Sequence, residues 1–209
     1  MIPSDPKQEA FEKAFSCRNV IGSFETLQKS VVGILGAGGL GSNAAAALVR
    51  AGVGTLIIAD PDAVEVHNLN RQLYFLDQVG MRKVEALAVT LKRINPYVSL
   101  RVHSVEVTPE NLISIFNDAD LLIEALDLAA TKARLIEAWL VRKDHAFVVA
   151  ASGLAGIGRN TSLDEKRMNR LIVCGDGQSP ETMGLCAGRV GAVANMQANA
   201  AVEILLAVK

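Results

Sequence analysis

The chain has 209 residues, half of them apolar, 4% aromatic and 21% charged, with a formal net charge of −1. That length fits one domain whose core needs no staples, and the aliphatic content excludes a disordered chain. The near-neutral balance argues against a broad basic surface, so no nucleic-acid partner is expected.

Residues 5–16 read as a short amphipathic helix, with Phe11, Ala14 and Phe15 at helical spacing. The first 15 residues, MIPSDPKQEAFEKAF, contain no apolar signal core. Residues 1–29 are taken as an N-terminal helix and arm, and 30–209 as the main unit of a single domain. Val31–Leu35 is a compact apolar strand that runs into Gly36-Ala-Gly38-Gly39-Leu-Gly41. A helix follows to Ala51 and stops at Gly52 and Gly54. The uncharged stretch 30–49 is long enough to span a bilayer, yet its glycine punctuation fits a buried strand–turn–helix better. No membrane partner is expected.

Thr55–Ala59 is a second strand ending at Asp60, which completes a βαβ unit with parallel strands. Pro61–Leu76 is polar and irregular. A helix is expected over 80–94, stopped by Asn95-Pro96, and a strand over 98–102. Pro109–Phe116 reads as a short helix with Thr108 as its N-cap. Leu121–Ala125 reads as a strand buried on both faces, Thr131–Arg142 as a helix and Phe147–Ala151 as a fifth strand. Leu154–Ser162 is expected to extend the sheet. Residues 174–186 are punctuated by Gly and Pro and read as a mobile loop. An Ala-rich helix closes the chain over 189–208. Alternating strands and helices specify an α/β fold, Rossmann-like and doubly wound, with a mostly parallel sheet and helices on both faces.

The glycine turn follows a strand and opens a helix. Its glycines let the main chain approach a phosphate, and the helix start presents free N–H groups. Gly36, Gly38, Gly39 and Gly41 are therefore candidate nucleotide-binding residues. Asp60 lies about 20 residues further on, where a carboxylate can accept ribose hydroxyls. These features fit NAD, FAD, S-adenosylmethionine or ATP. The segment after Asp60 favours a phosphate-handling site over hydride transfer, because it carries Asp62, Asn68, Arg71 and Gln72 in close succession. Arg71 can clamp phosphate oxygens with its planar fork, Asn68 and Gln72 can orient phosphates or water, and Lys83 adds a second cation. His67 lies in the same loop. Asp127 follows the fourth strand, where ligands bind in open α/β sheets. A carboxylate facing phosphates calls for Mg²⁺ between them. Asp127 is also a candidate cap for the next helix.

Together GAGGLGSN, the segment ADPDAVEVHNLNRQ, Val79-Gly80-Met-Arg-Lys83, the Asp127 region and the final helix resemble the ubiquitin-activating-like adenylyltransferases typified by ThiF, MoeB and HesA. The resemblance covers roughly residues 18–207 and looks closest to the short ThiF-type enzymes of thiamine biosynthesis. It implies ATP-dependent adenylation of the C-terminal glycine carboxylate of a small ubiquitin-like sulfur carrier protein ending in Gly-Gly, with release of pyrophosphate. It also implies Mg²⁺, a homodimer and a separate sulfur donor protein. By the same resemblance Gly36, Gly38 and Gly41 line the phosphates and Asp60 is the ribose acid. Asn68, Arg71 and Lys83 contact phosphates, and Asp127 is the metal-associated acid. Arg18 matches an arginine that reaches into the partner subunit's site.

Several features depart from the family pattern. The two zinc-binding CxxC pairs of many relatives are absent: the three cysteines are Cys17, Cys174 and Cys186. No zinc is expected, and the sparse thiols point to a reducing, cytoplasmic setting. The usual T-D-N around the metal acid is Leu126-Asp127-Leu128 here. Cys174 and Cys186 are candidates for a covalent link to the carrier, with Arg189 as a cation able to lower a thiol pKa. No fused sulfurtransferase module is expected. The alternatives are adenylation in a molybdopterin or other thiolation pathway, adenylation of an RNA or small-molecule carboxylate, and a non-catalytic nucleotide-binding module.

Overall fold

The structure, a computed structural model, describes residues 5–207. Residues 1–4, and Val208 at which the closing helix is expected to end, lie outside the described residues. The elements are α1 (Pro6–Ser16), α2 (Ser23–Gln28), β1 (Val31–Leu35), α3 (Gly39–Ala51), β2 (Thr55–Ala59), α4 (Lys83–Ile94), β3 (Ser99–His103), α5 (Leu112–Phe116), β4 (Leu121–Glu124), α6 (Ala129–Arg142), β5 (Phe147–Ala151), β6 (Asp164–Met168), β7 (Leu171–Gly175) and α7 (Ala187–Ala207). The strands form one seven-stranded sheet in the order β3-β2-β1-β4-β5-β7-β6. All neighbours are parallel except the β6–β7 pair. This is the expected Rossmann-like architecture.

The central strands bury both faces, which explains their near-continuous apolar sequence. Val32, Ile34, Leu56, Ile58 and Ile123 point to one layer, built with α3, α4 and α7. Leu35, Ile57, Leu122 and Val148 point to the other, where Phe116 of α5 and Trp139 of α6 are fully buried. Each such aliphatic or aromatic side chain contributes about 1.5–3 kcal/mol by leaving water. The uncharged stretch 30–49 is β1 and most of α3. The helix α7 is by length and composition apolar enough to cross a membrane, yet half of its most apolar window is buried inside the fold. Its fully buried Gln197 donates through Nε2 to Glu124 O at 2.8 Å and Val149 O at 3.0 Å. The β4–β5 ladder ends at the Ile123–Val149 pair. Gln197 therefore bridges the two strands where they begin to separate.

The boundaries differ from the sequence reading in several places, each for a physical reason. The helix α4 begins at Lys83 because Gly80 adopts φ 91° and turns the chain. Asn111, not Thr108, takes the N-cap position of α5, and its Oδ1 accepts the Thr108 N–H at 2.8 Å. Pro61–Leu76 contains the 3-10 turn Val66–Asn68, and the turn Leu76–Gln78 closes it. The helix α2 was not anticipated. Leu154–Ser162 adds no strand: it is a loop ending in the turn Asn160–Ser162. The sheet is extended instead by the β6–β7 hairpin, whose two-residue turn starts at Asn169 with φ 55°. Residues Cys174 and Gly175, read as loop, belong to β7.

Candidate functional site

The loops after β1, β2, β4 and β5 open one cavity of about 1120 Å³ at the carboxyl ends of the strands. The glycine turn forms its floor. Gly36 has φ +98°, and a Cβ there would meet Ala125 O at 2.9 Å. At Gly41 a Cβ would lie 1.9 Å from Gly36 O, so only glycine lets the helix start close against the strand end. Gly38 is the N-cap of α3 and supplies no side-chain cap. The amides of the first helical turn thus stay available to an anion. Gly36, Gly38 and Gly39 line the cavity, whereas Gly41 is absent from its lining and acts by packing.

Two side chains that the sequence reading did not single out anchor this turn. Ser42 donates to Gly38 O at 2.6 Å and accepts the Leu73 N–H at 3.0 Å. Asn43 donates to Gly39 O at 2.7 Å and Arg71 O at 3.0 Å. Both follow the last glycine directly, in the GSN triplet, and fasten the helix start to the segment carrying Arg71 and Gln72.

Asp60 was expected to receive the ribose hydroxyls, but its oxygens already accept backbone N–H groups. Oδ2 takes Ala37 N–H at 2.7 Å and Oδ1 takes Asp62 N–H at 2.9 Å, and the residue is buried. Asp60 still borders the cavity, and beside it Asp62 is the more open carboxylate, with a side chain 61% exposed. Its Oδ2 lies 2.7 Å from Nζ of the buried Lys83. Tyr74, also overlooked, donates its hydroxyl to Ala37 O at 2.7 Å and reaches Lys83 O at 3.3 Å. Burial first, then Asp60 and Asp62, push the Tyr74 hydroxyl up from its ordinary value, so it stays a donor. The turn, the acid pair and the lysine are thus one bonded unit.

Arg71 lines the cavity, with Nη1 bonded to His67 O at 3.1 Å and Asn70 Oδ1 at 2.8 Å. Gln72 also lines it, and its Oε1 is buried without a protein partner. Asn68 was expected to face phosphates. It lies outside the cavity lining and buried, where its Oδ1 accepts Glu65 N–H at 2.9 Å and its carbonyl accepts the Arg71 and Gln72 amides. Asn68 therefore shapes the loop that presents Arg71 and Gln72. His67 is exposed, with Nδ1 3.3 Å from Glu65 Oε2.

Asp127 faces the cavity from the loop after β4 and is exposed. It does not cap α6: the N-cap is Leu128, and no side chain bonds there. Behind it sits the fully buried Glu124, which accepts Leu126 N–H at 2.7 Å and lies 2.9 Å from Lys132 Nζ. That second contact is a charge pair outside hydrogen-bond geometry, and Nζ also donates to Ala151 O at 2.7 Å and Leu126 O at 3.2 Å.

Other predicted residues stand apart from this cluster. Arg18 is exposed and outside the cavity lining. Its neighbour Asn19 bonds Ala51 O at the far end of α3, and a helix of 13 residues spans about 20 Å. Cys174 is buried in β7, and burial pushes its thiol up to about 12, so it is no nucleophile at neutral pH. Cys186 is partly exposed at the start of α7, where its carbonyl accepts the Arg189 and Val190 amides. Arg189 does not serve a thiol. It is buried and bonded to Asp176 Oδ2 at 2.6 Å and Gly158 O at 2.7 Å. Asp176 is held well below the usual carboxylate range by the Ser179 hydroxyl first, then by the Ser179 and Gln178 amides and Arg189. The loop expected to be mobile is pinned here.

The cavity joins uncapped helix amides, the three cations Arg71, Lys83 and Lys132, and exposed carboxylates, which suits a polyphosphate and the ribose attached to it. Among the described residues no group of three or more His, Cys, Asp or Glu could hold a metal ion. Such a site suits Mg²⁺ arriving with phosphates, held by one carboxylate, better than a dedicated protein cage.

The profile described as "ThiF family" matches residues 16–209. The chain is 38% identical over 168 residues to "Adenylyltransferase and sulfurtransferase UBA4" of Candida glabrata, covering 80% of this chain and 38% of that protein. It is 30% identical over 202 residues to "Ubiquitin-like modifier-activating enzyme 5" of Drosophila simulans, covering 81% of this chain and 50% of that protein. It thus spans half or less of these relatives' lengths. Among solved structures, E. coli tRNA N6-threonylcarbamoyladenosine dehydratase, TcdA, in complex with AMP superposes with a TM-score of 0.83 at 22% identity, covering 99% of this chain and 98% of that one. This last likeness is one of fold.

Proposed function

The chain belongs to the ThiF family, and from that premise we propose that it binds ATP and adenylates the C-terminal glycine carboxylate of a small ubiquitin-like sulfur carrier, releasing pyrophosphate. The observation that carries this reading is the cavity itself: the uncapped start of α3, Arg71, Lys83 and Asp127 converge on one space. That space is large enough for a nucleotide and the end of a second reactant.

In this reading the α3 amides and Lys83 hold phosphate oxygens, and Arg71 closes on them as a planar fork. Asp62, exposed and next to Lys83, takes the ribose hydroxyls in place of Asp60. Gln72 Oε1, buried without a partner, accepts a donor from the nucleotide or a bound water. Asp127 would hold Mg²⁺ together with the phosphates, and the ion would supply neutralisation of charge on the phosphate oxygens. The carrier's carboxylate is ionised at neutral pH and attacks the α-phosphorus in line, so no general base is needed. The chain's contribution is positioning and electrostatic stabilisation.

The finer assignments are part of the same proposal. Arg18 lies too far from its own glycine turn to serve it, so we assign it to the site of a second copy in a homodimer. The thiamine pathway rests on the absence of CxxC pairs, and sulfur delivery is left to a separate donor protein. The three free cysteines support the cytoplasm. The test is ATP–pyrophosphate exchange with and without Gly-Gly-ended carriers of several pathways. Exchange that requires a carrier supports the proposal, and the carrier that drives it names the pathway. Exchange driven by a small-molecule or RNA carboxylate, or no exchange at all, overturns it.

A further inference from the structure

Segment 124–126, which leads into Asp127, is held at every peptide. Glu124 O accepts Gln197 Nε2 at 2.8 Å, and Ala125 N–H donates to Leu35 O at 2.9 Å. Leu126 N–H donates to Glu124 Oε1 at 2.7 Å, and Leu126 O accepts Lys132 Nζ at 3.2 Å. Lys132 comes from the first turn of α6 and also bonds Ala151 O at 2.7 Å, the last carbonyl of β5. The Glu124 side chain is 0% exposed and that of Lys132 is 17% exposed.

A charge pair this deep is an expensive way to hold a fold, because apolar side chains of the same volume stabilise as well or better. Burial works against the ionised Glu124, and Lys132 opposes that effect. What the pair provides and an apolar pair cannot is direction. Glu124 grips the N–H of the peptide before Leu126 while Lys132 grips the carbonyl of the peptide after it, so the two peptide planes on either side of Leu126 are each held, the second of them being the one that enters Asp127.

We propose that Glu124 and Lys132 are positioning residues that aim the Asp127 carboxylate into the cavity, by holding the two peptides that flank Leu126 between β4, β5 and α6. Glu124 lies outside the cavity lining, and Lys132 borders the cavity with its Nζ turned to Leu126 O, Ala151 O and Glu124, so both are assigned to act through Asp127. The inference rests on the adenylation reading for the role of Asp127, and on the geometry above for the clamp.

The test uses the full chain and a readout without chemistry: the tightening of ATP binding by Mg²⁺, measured by calorimetry. The double variant E124Q/K132M leaves no unpaired buried charge and is expected to melt within about 4 °C of the wild type. It should bind ATP alone within about twofold, lose about tenfold of the Mg²⁺-dependent tightening, and lose about 10–100-fold in exchange kcat. A folded double variant with wild-type tightening overturns the proposal. Lys132→Arg keeps the pair and does not depend on the double variant folding. It should lose about threefold of the tightening in the wild-type background and nothing in an Asp127→Asn background, since the two act as one unit. Equal losses in both backgrounds overturn the clamp. A wild-type chain that binds Mg²⁺–ATP but exchanges nothing overturns the proposed function and leaves this result standing. One that binds no ATP overturns both.

Discussion

Lys83 Nζ lies 2.7 Å from Asp62 Oδ2 and 4.0 Å from Asp60 Oδ1, so the cavity's buried cation is held by one exposed and one buried carboxylate. Asp60 fixes the backbone on either side of the cavity floor, and Asp62 is the member free to exchange partners. On this geometry Asp62→Asn weakens ribose recognition while leaving Lys83 in place. We expect KM for ATP to rise about tenfold and the preference for ATP over 2′-deoxy-ATP to collapse, as follows when a hydrogen-bonding partner is lost. Lys83→Met should cost about 10²–10³ in kcat/KM, the loss typical of one preorganised donor. Steady-state exchange kinetics with both nucleotides check these values, and an unchanged preference in Asp62→Asn would return the ribose role to Asp60.

Asp127 is exposed and caps nothing, so its removal is expected to spare the fold. Asp127→Asn should melt within about 2 °C of the wild type, as for most surface substitutions. The same variant should lose at least about 100-fold in exchange. Calorimetry and the exchange assay on one preparation separate the two effects.

Arg18 can act only on a neighbour's site if it acts on a nucleotide at all. Arg18→Ala and Asp127→Ala should each be nearly inactive alone. Mixing them should restore activity, because one of the two sites in a heterodimer then carries both wild-type residues. Activity that stays at the level of the separate variants at every mixing ratio removes the partner arginine.

The hydrogen bonds that Asp176 accepts from the Ser179 hydroxyl and the Ser179 and Gln178 amides, with Arg189 beside it, set a pH dependence of stability. The folded Asp176 carboxyl lies below its unfolded value, so its contribution is complete above the unfolded pKa of about 3.9. That contribution is lost as pH falls toward the folded value. Asp176→Asn should therefore melt well below the wild type at pH 7, and the gap should begin to shrink below about pH 5 and go on shrinking as pH falls further. A gap that is constant with pH would mean that neither these hydrogen bonds nor Arg189 favour the ionised carboxylate in the folded chain.

Thiol chemistry should divide the cysteines. With its thiol pushed up to about 12 and its side chain buried, Cys174 should resist iodoacetamide at pH 8 in the native chain. Cys17 is exposed and should be alkylated readily, with Cys186 between the two. Peptide mapping by mass spectrometry reads the order directly.

The part of the fold legible in the sequence is the part governed by local pattern. Val31–Leu35, Thr55–Ala59 and Phe147–Ala151 are apolar runs with sharp glycine or acidic ends, and the strands begin and end where those runs do. The β6–β7 hairpin escaped because Asp164–Arg167 is a run of charges, which an edge strand can carry but a strand search built on apolar runs passes over. The candidate site was legible by residue type and not by role. Asp60 and Asn68 are polar residues in the right loop, yet backbone amides bond to their oxygens, and only the fold shows that Asn68 lies outside the cavity while Asp60 and the more exposed Asp62 both border it. Tyr74, Glu124 and Lys132 left no sequence signal, since each works through a main-chain group brought near by tertiary packing.

Gln197 ties the site to the core in a way that has a thermodynamic consequence. Its amide joins the ends of β4 and β5 beneath the cavity, while the helix that carries it packs against the larger apolar layer. The cavity floor therefore cannot open without disturbing that layer, and local opening and global unfolding become the same event. A ligand bound to the folded chain then protects every amide in the central sheet alike. At 100 times its dissociation constant it raises the unfolding free energy of the whole unit by about 2.7 kcal/mol. Hydrogen exchange across β1, β4 and β5 should slow by a common factor when nucleotide binds.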